Sequence, residues 1–142
     1  MFAAGCFWSI QKKFASLEGV VDTAVGYSGG HTENPDYRSV CSGTTNHAEV
    51  CLVEFDEQRI HFNDLLEVFW SLHDPTTLNR QGPDIGTQYR SAVFYYDEEQ
   101  KNLAQSSKEN LLKKSINVVT EISPAKKFWR AEEYHQHYFG KP

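Results

Sequence analysis

Chemistry in this 142-residue chain can start at one of its three cysteines. Cys6 sits in Gly5-Cys6-Phe7-Trp8, after the apolar Phe2-Ala3-Ala4 and ahead of Phe7, Ile10, Phe14 and Leu17, which recur at helical spacing. The spacing puts a thiol at a strand-to-helix junction, where unpaired N–H groups and the positive end of the helix dipole favour thiolate over thiol. Cys6 is therefore a candidate nucleophile; the plainer alternative is a small buried hydrophobe. An odd number of Cys cannot all pair, which favours thiol chemistry or burial over a disulfide scaffold. Glu49 lies between Ala48 and Val50 on a segment that reads as a half-buried strand, so desolvation could raise its pKa and let it deliver a proton at neutral pH. The six His are less informative: His135 and His137 alternate rather than sharing a helix face, and no Cys pair has zinc spacing. No metal is expected.

The elements that must position these groups follow from periodicity. Phe2-Ala3-Ala4 is a short strand, Val20 to Tyr27 a second ending at Ser28-Gly29-Gly30, and Glu49 to Phe55 a third. Phe62, Leu65, Leu66, Phe69, Trp70 and His73 form an amphipathic helix stopped by Asp74-Pro75. Thr76 to Thr87, with Gly82, Pro83 and Gly86, reads as a loop of functional length. Ala92 to Tyr96 is a strand, Glu98 to Lys114 a charged helix, Val118 to Ile122 a last strand and Glu132 to Tyr138 a short terminal helix. Interleaved strands and helices predict an α+β two-layer sandwich, a mixed sheet with a ferredoxin-like core and helices packed on it. With no linker-like stretch or repeat, residues 1–142 are expected to form one domain.

Composition narrows the partners. The net charge of −5, without basic runs, leaves no electrostatic footprint for nucleic acid or an anionic membrane surface. Apolar runs stop at four or five residues, far short of the roughly 20 of a spanning helix. Ala3-Ala4-Gly5-Cys6 mimics the end of a lipoprotein signal, but the five residues before Cys6 include no basic one. A cytoplasmic monomer is expected.

An ordered set of segments carries a resemblance: Gly5-Cys6-Phe7-Trp8, Gly26 to Gly30, Asn34 to Gly43, His47-Ala48-Glu49-Val50, His73 to Thr76, Gln81-Gly82, Asp84 to Ser91 and Ala131 to Gln136. Together they resemble the A-type peptide methionine sulfoxide reductases over nearly the whole chain. The resemblance implies thiol-dependent reduction of methionine (S)-sulfoxide, free or in peptides, with repair of oxidised protein as the outcome. Cys6 would attack the sulfoxide sulfur and become a sulfenic acid, and Glu49 would supply the proton. Tyr37 and Tyr89 match phenols that donate to the sulfoxide oxygen without adding charge. Phe7 and Trp8 match the apolar pocket around the substrate methyl, and Asp84 a carboxylate that helps hold the substrate. Singly, each of these residues has a plain structural reading as core aromatic or surface carboxylate.

Three departures touch loop shape: Ser9 and Asn46 stand where Gly is frequent, and Pro83 where Asn is frequent. Many relatives continue into a tail with a recycling Cys, whereas this sequence ends at Gly140-Lys141-Pro142. No bound cofactor is implied; an external thiol, small or thioredoxin- or glutaredoxin-like, would reduce the sulfenic acid. Cys41 matches a family position that is not usually the recycling one. Strand alternation puts Cys51 on the face of Glu49, about 7 Å along the strand, so Cys51 could resolve the sulfenic acid or equally fill the core. Two other functions fit parts of the pattern. One is a Cys hydrolase with His47 or His73 as base, and the other is a binding module whose aromatic pocket takes a methyl-bearing side chain without reaction.

Overall fold

The computed structural model describes residues 1–140; Lys141 and Pro142, where the sequence ends, lie outside the described residues. Strand β1 (Phe2–Ala4) runs into α1 (Phe7–Ala15), and β2 (Val20–Ser28) follows. Next come α2 (Tyr37–Cys41), β3 (Ala48–Phe55) and α3 (Phe62–Leu72). A two-stranded hairpin, β4 (Arg80–Gln81) and β5 (Asp84–Ile85), precedes β6 (Ser91–Tyr95), α4 (Glu98–Lys113), β7 (Glu121–Pro124) and β8 (Trp129–Arg130). The main sheet has the order β7-β6-β1-β3-β2-β8. Its inner four strands, β6-β1-β3-β2, are antiparallel, with α1 joining β1 to β2 and α3 joining β3 to β6. That is the ferredoxin-like core of the expected mixed sheet. Parallel pairing of β6 with β7 makes the sheet mixed and requires a crossover, which α4 supplies.

Alternation along the strands divides the buried side chains between two faces. Phe2, Ala4, Val25, Tyr27, Cys51 and Val93 face α1, α3 and α4 and meet Phe7, Ile10, Phe14, Leu65, Leu66 and Phe69. Met1, Ala3, Ala48, Val50, Ala92 and Phe94 face the other way, against Ala125 and Phe128. Phe2 stacks on Phe14 at 4.9 Å and tilts against Phe69 at 5.4 Å, which ties β1 to both α1 and α3. Each such fully buried ring contributes about 1.5–3 kcal/mol, so the junction that carries Cys6 is held from both sides.

Several boundaries differ from the sequence reading. The strand expected at Val118 to Ile122 begins at Glu121 instead. Val119 N–H bonds Pro75 carbonyl at 2.9 Å, and Lys108 donates to the Thr120 carbonyl at 2.8 Å, so this stretch is tied to α4 and the preceding loop before it reaches β6. β7 is not the last strand, because β8 pairs with β2 at Gly26 and Tyr27. The terminal helix is two separate 3-10 turns, Glu133–His135 and Tyr138–Gly140. His137 between them adopts φ 51°, a left-handed conformation that interrupts a helix. The loop from Thr76 to Thr87 contains the β4–β5 hairpin.

Candidate active site

Cys6 is the N-cap residue of α1, with φ −59° and ψ 125°. The thiol is half-buried, and the structure corrects the expected balance of forces on it. Burial raises its pKa above the ordinary 9.0; the Trp8 N–H opposes this, the negative charges of Glu49 and Asp84 add to it, and the Ser9 N–H opposes again. The helix N-terminus acts as its position suggests, yet desolvation wins and the resting group is the thiol.

Glu49 lies on β3 opposite Tyr27 in β2 and is 1% exposed. Its Oε1 accepts from the Phe7 N–H at 3.2 Å, so the carboxyl sits at the start of α1, one residue from the thiol. Its Oε2 is buried without a hydrogen-bond partner. Desolvation pushes its pKa from 4.5 to about 7; the Phe7 N–H works against this and the charge of Asp84 with it. A carboxyl aimed into a site with one unused oxygen can give and take a proton at neutral pH.

The phenols arrive from two short elements. Tyr37 opens α2, whose five residues survive because both ends of its first turn are tied. The Asp36 carboxylate accepts from the Ser39 N–H at 2.7 Å, and Ser39 Oγ accepts from the Asp36 N–H at 3.0 Å, a capping box. Glu132 adds a long-range anchor: Oε2 accepts from the Tyr37 N–H at 3.1 Å, while Oε1 accepts from the Tyr27 hydroxyl at 3.0 Å. Tyr89 ends the 3-10 turn Thr87–Tyr89. Burial raises both phenol pKa values. For Tyr37 a hydrogen bond to the Cys41 thiol is the next cause; for Tyr89 the charge of Glu49 is, with smaller contributions from Cys41, Asp84 and Cys6. The charge of Glu49 thus bears on both phenols, and both stay protonated donors.

Phe7 is fully buried, and Trp8 lies partly exposed beside it. The Trp8 indole N–H donates to His135 Nδ1 at 3.0 Å, and its ring stacks on Tyr138 at 3.9 Å and 9°. His135 also packs on Phe7 and Tyr37, at 5.3 and 4.6 Å. Glu132, Tyr27 and His135 received no role from the sequence, although all three lie in the segments that carry the resemblance. Their work is done by contacts across more than a hundred positions, which no local spacing encodes.

Cys41 is exposed at the end of α2, and burial of its sulfur outweighs hydrogen bonds from Tyr37 and Tyr89 that would lower its pKa. Cys51 shares the face of Glu49, as alternation requires, but it is fully buried under α1 and α3, opposite Phe2 in β1. Desolvation pushes its thiol up to about 12. The imidazoles that the hydrolase reading needs are occupied elsewhere. His47 accepts from the Gly30 N–H at 3.0 Å and donates to the Thr32 carbonyl at 2.8 Å; His73 donates to the Phe69 carbonyl at 2.8 Å and bonds Ser91 Oγ at 2.7 Å. Among the described residues no group of three or more His, Cys, Asp or Glu could hold a metal ion. Of the departures, Asn46 adopts φ 58°, the left-handed conformation that Asn tolerates next best to Gly. Gly82 at φ 56° followed by Pro83 closes the β4–β5 turn and keeps Asp84 on a strand.

An α+β sheet with a ferredoxin-like core thus brings the Cys6 thiol, a carboxyl with a pKa near 7 and two phenols together, a set suited to thiol-dependent redox chemistry. The family described as peptide methionine sulfoxide reductase matches residues 1–142. The peptide methionine sulfoxide reductase of Fragaria ananassa is 61% identical over 142 residues, spanning 99% of this chain and 74% of its own. Mxr1 from Saccharomyces cerevisiae in reduced form is 37% identical with a TM-score of 0.93, over 98% of this chain and 82% of that one. Mxr1 in complex with Trx2 matches at 25% identity and a TM-score of 0.68, over 96% and 81%. This chain belongs to the peptide methionine sulfoxide reductase family, oxidoreductases that return methionine sulfoxide to methionine.

Proposed function

We propose that this chain acts on the S epimer of methionine sulfoxide, free or in peptides, with Cys6 as nucleophile, Glu49 as proton carrier and Tyr37 and Tyr89 as donors to the sulfoxide oxygen. The observation that carries this assignment is the buried, unpartnered Oε2 of Glu49, held at the start of α1 beside the thiol. Attack forms a bond from Cys6 sulfur to the substrate sulfur while the oxygen takes the thiol proton by way of Glu49. The oxygen then passes to the Cys6 sulfur as the substrate S–O bond and the new S–S bond both break. The S–S electron pair returns to the substrate sulfur, which leaves methionine and a sulfenic acid on Cys6. One thiol condenses with the sulfenic acid to a mixed disulfide and water, and a second thiol releases Cys6 and a disulfide. The partly exposed Trp8 forms the apolar wall for the methyl with the buried Phe7 packed behind it, and Asp84 holds the rest of the substrate.

The complex of Mxr1 with Trx2 supports a thioredoxin-like reductant, with a glutaredoxin-like protein or small thiol as the alternatives. Among the described residues no helix is long and apolar enough to cross a membrane. We place the protein in the cytoplasm as a monomeric, one-domain repair enzyme of oxidative stress that needs no bound cofactor. Reduced protein mixed with each epimer, without reductant, is expected to yield one methionine per chain from the S epimer and to lose one free thiol, at Cys6. No methionine from either epimer refutes the reading.

The sealed position of Cys51 supports core filling over resolution. Cys51→Ser is expected to keep full turnover with a dithiol and to lose about 1–3 kcal/mol of stability, because a hydroxyl replaces a thiol in an apolar site. Steady-state kinetics and thermal unfolding measure the two separately, and a turnover defect with dithiol would return Cys51 to the cycle.

A further inference from the structure

A side chain of the hairpin that carries Asp84 fastens it to the backbone past α3 with two bonds. Gln81 on β4 accepts from the Asp74 N–H at its Oε1, at 2.9 Å, and donates from Nε2 to the Asp74 carbonyl, also at 2.9 Å. A primary amide thereby completes a two-bond pair with the backbone just past the end of α3. Thr77 Oγ1 reaches the Arg80 carbonyl at 2.8 Å and, at a longer 3.4 Å, the Asp74 carbonyl, while Arg80 Nη2 to the Gly82 carbonyl and Gly86 N–H to the Asn79 carbonyl stay within the loop.

The aliphatic part of the same side chain lies against the residue before the nucleophile. A Cβ added to Gly5 would come within 2.8 Å of Gln81 Cγ and 2.9 Å of its Cβ, and Gly5 adopts φ 91°. Across the hairpin Gln81 pairs directly with Asp84. One residue thus touches the backbone beside Cys6, the end of α3 and the strand of Asp84.

We propose that Gln81 is a positioning residue that fixes the separation between Cys6 and Asp84, and through it the affinity for the sulfoxide substrate. The proposal rests on the assignment of Asp84 to substrate binding. Gln81 touches no reacting atom, so its loss acts on how the substrate is held. Gln81→Ala is expected to raise KM about tenfold with kcat within about twofold. Gln81→Met keeps the contact with Gly5 but cannot make the amide pair, and is expected to show the same rise in KM with Tm close to that of the parent.

A double-mutant cycle decides the route. In an Asp84→Ala background, already raised in KM, Gln81→Ala is expected to add less than about twofold. The same tenfold factor in both backgrounds, a parent-like KM in Gln81→Met, or a parent-like KM in Gln81→Ala each overturns the proposal. A parent-like KM in Asp84→Ala removes the assignment of Asp84 and the route with it, and is read from that single variant alone.

Discussion

Cys6→Ser is expected to form no methionine from either sulfoxide epimer, a loss on the order of 10⁴-fold or more, with the fold intact. The substitution exchanges one atom at the N-cap of α1, a position where Ser is a favoured residue, so the helix does not suffer. A hydroxyl ionises far above a thiol and cannot carry the oxygen as a sulfenic acid, so no partial reaction remains for Glu49 and the phenols to assist. Substrate binding should survive, because the aromatic wall, Asp84 and both phenols are untouched. Methionine release by chromatography and sulfoxide binding by calorimetry separate the two consequences. Catalysis that persisted in Cys6→Ser would remove the nucleophile from the mechanism. Unreactive binding by the parent chain would favour the binding module.

The placements of Cys6 at the start of α1 and of Glu49 on β3 were legible because each depends on local pattern. An apolar triplet, a Gly and a helical apolar repeat locate the junction, and alternation over Glu49 to Phe55 locates the buried face. Depth along that face was not legible. Cys51 is only two residues from Glu49, but the strand passes from the rim of α1 to beneath it, and only the packing of Phe2, Phe14 and Leu65 decides where the core closes. α2 escaped notice because five residues cannot show a period; its one local sign is the Asp36-to-Ser39 capping pair. The supports of the site were invisible for a different reason. Trp8 with His135, Tyr37 with Glu132 and Gln81 with Asp74 are side-chain bonds made by the folded topology, two of them across most of the chain. The C-terminal segment reads as a helix by composition, yet its polar groups are claimed by β2 and α1. Gln136 accepts from the Val25 N–H at 2.9 Å, and the His137 N–H donates to Gln11 at 2.6 Å. Tertiary bonds replace the helical ones there, as in many short segments laid over a sheet.

Glu49→Gln is expected to cost on the order of 10²–10⁴ in turnover and to erase one limb of the pH profile. The sign follows from counting protons. Moving oxygen from substrate to Cys6 consumes one proton held by the Cys6 and Glu49 pair, whichever of the two carries it at rest. The pair holds two protons below the Glu49 pKa of about 7, one between that value and the raised thiol value above 9.0, and none beyond it. For the parent, kcat/KM should therefore rise as pH passes about 7, stay level, and fall only in the alkaline range where the thiol ionises. In Glu49→Gln the rise near 7 should vanish, because the carboxyl that titrates there is gone. Stability gives an independent readout with its own direction. A carboxyl whose pKa is raised from 4.5 to about 7 by folding stabilises the protein fully below 4.5 and loses that contribution as pH rises through 7. The difference is about 3 kcal/mol. Glu49→Gln, neutral at every pH, should unfold with less dependence on pH between 4.5 and 8 and be more stable than the parent at the upper end. A kinetic limb near 7 that persisted in Glu49→Gln would assign the titration to another group, and near-parent turnover would end the role of Glu49 as proton carrier.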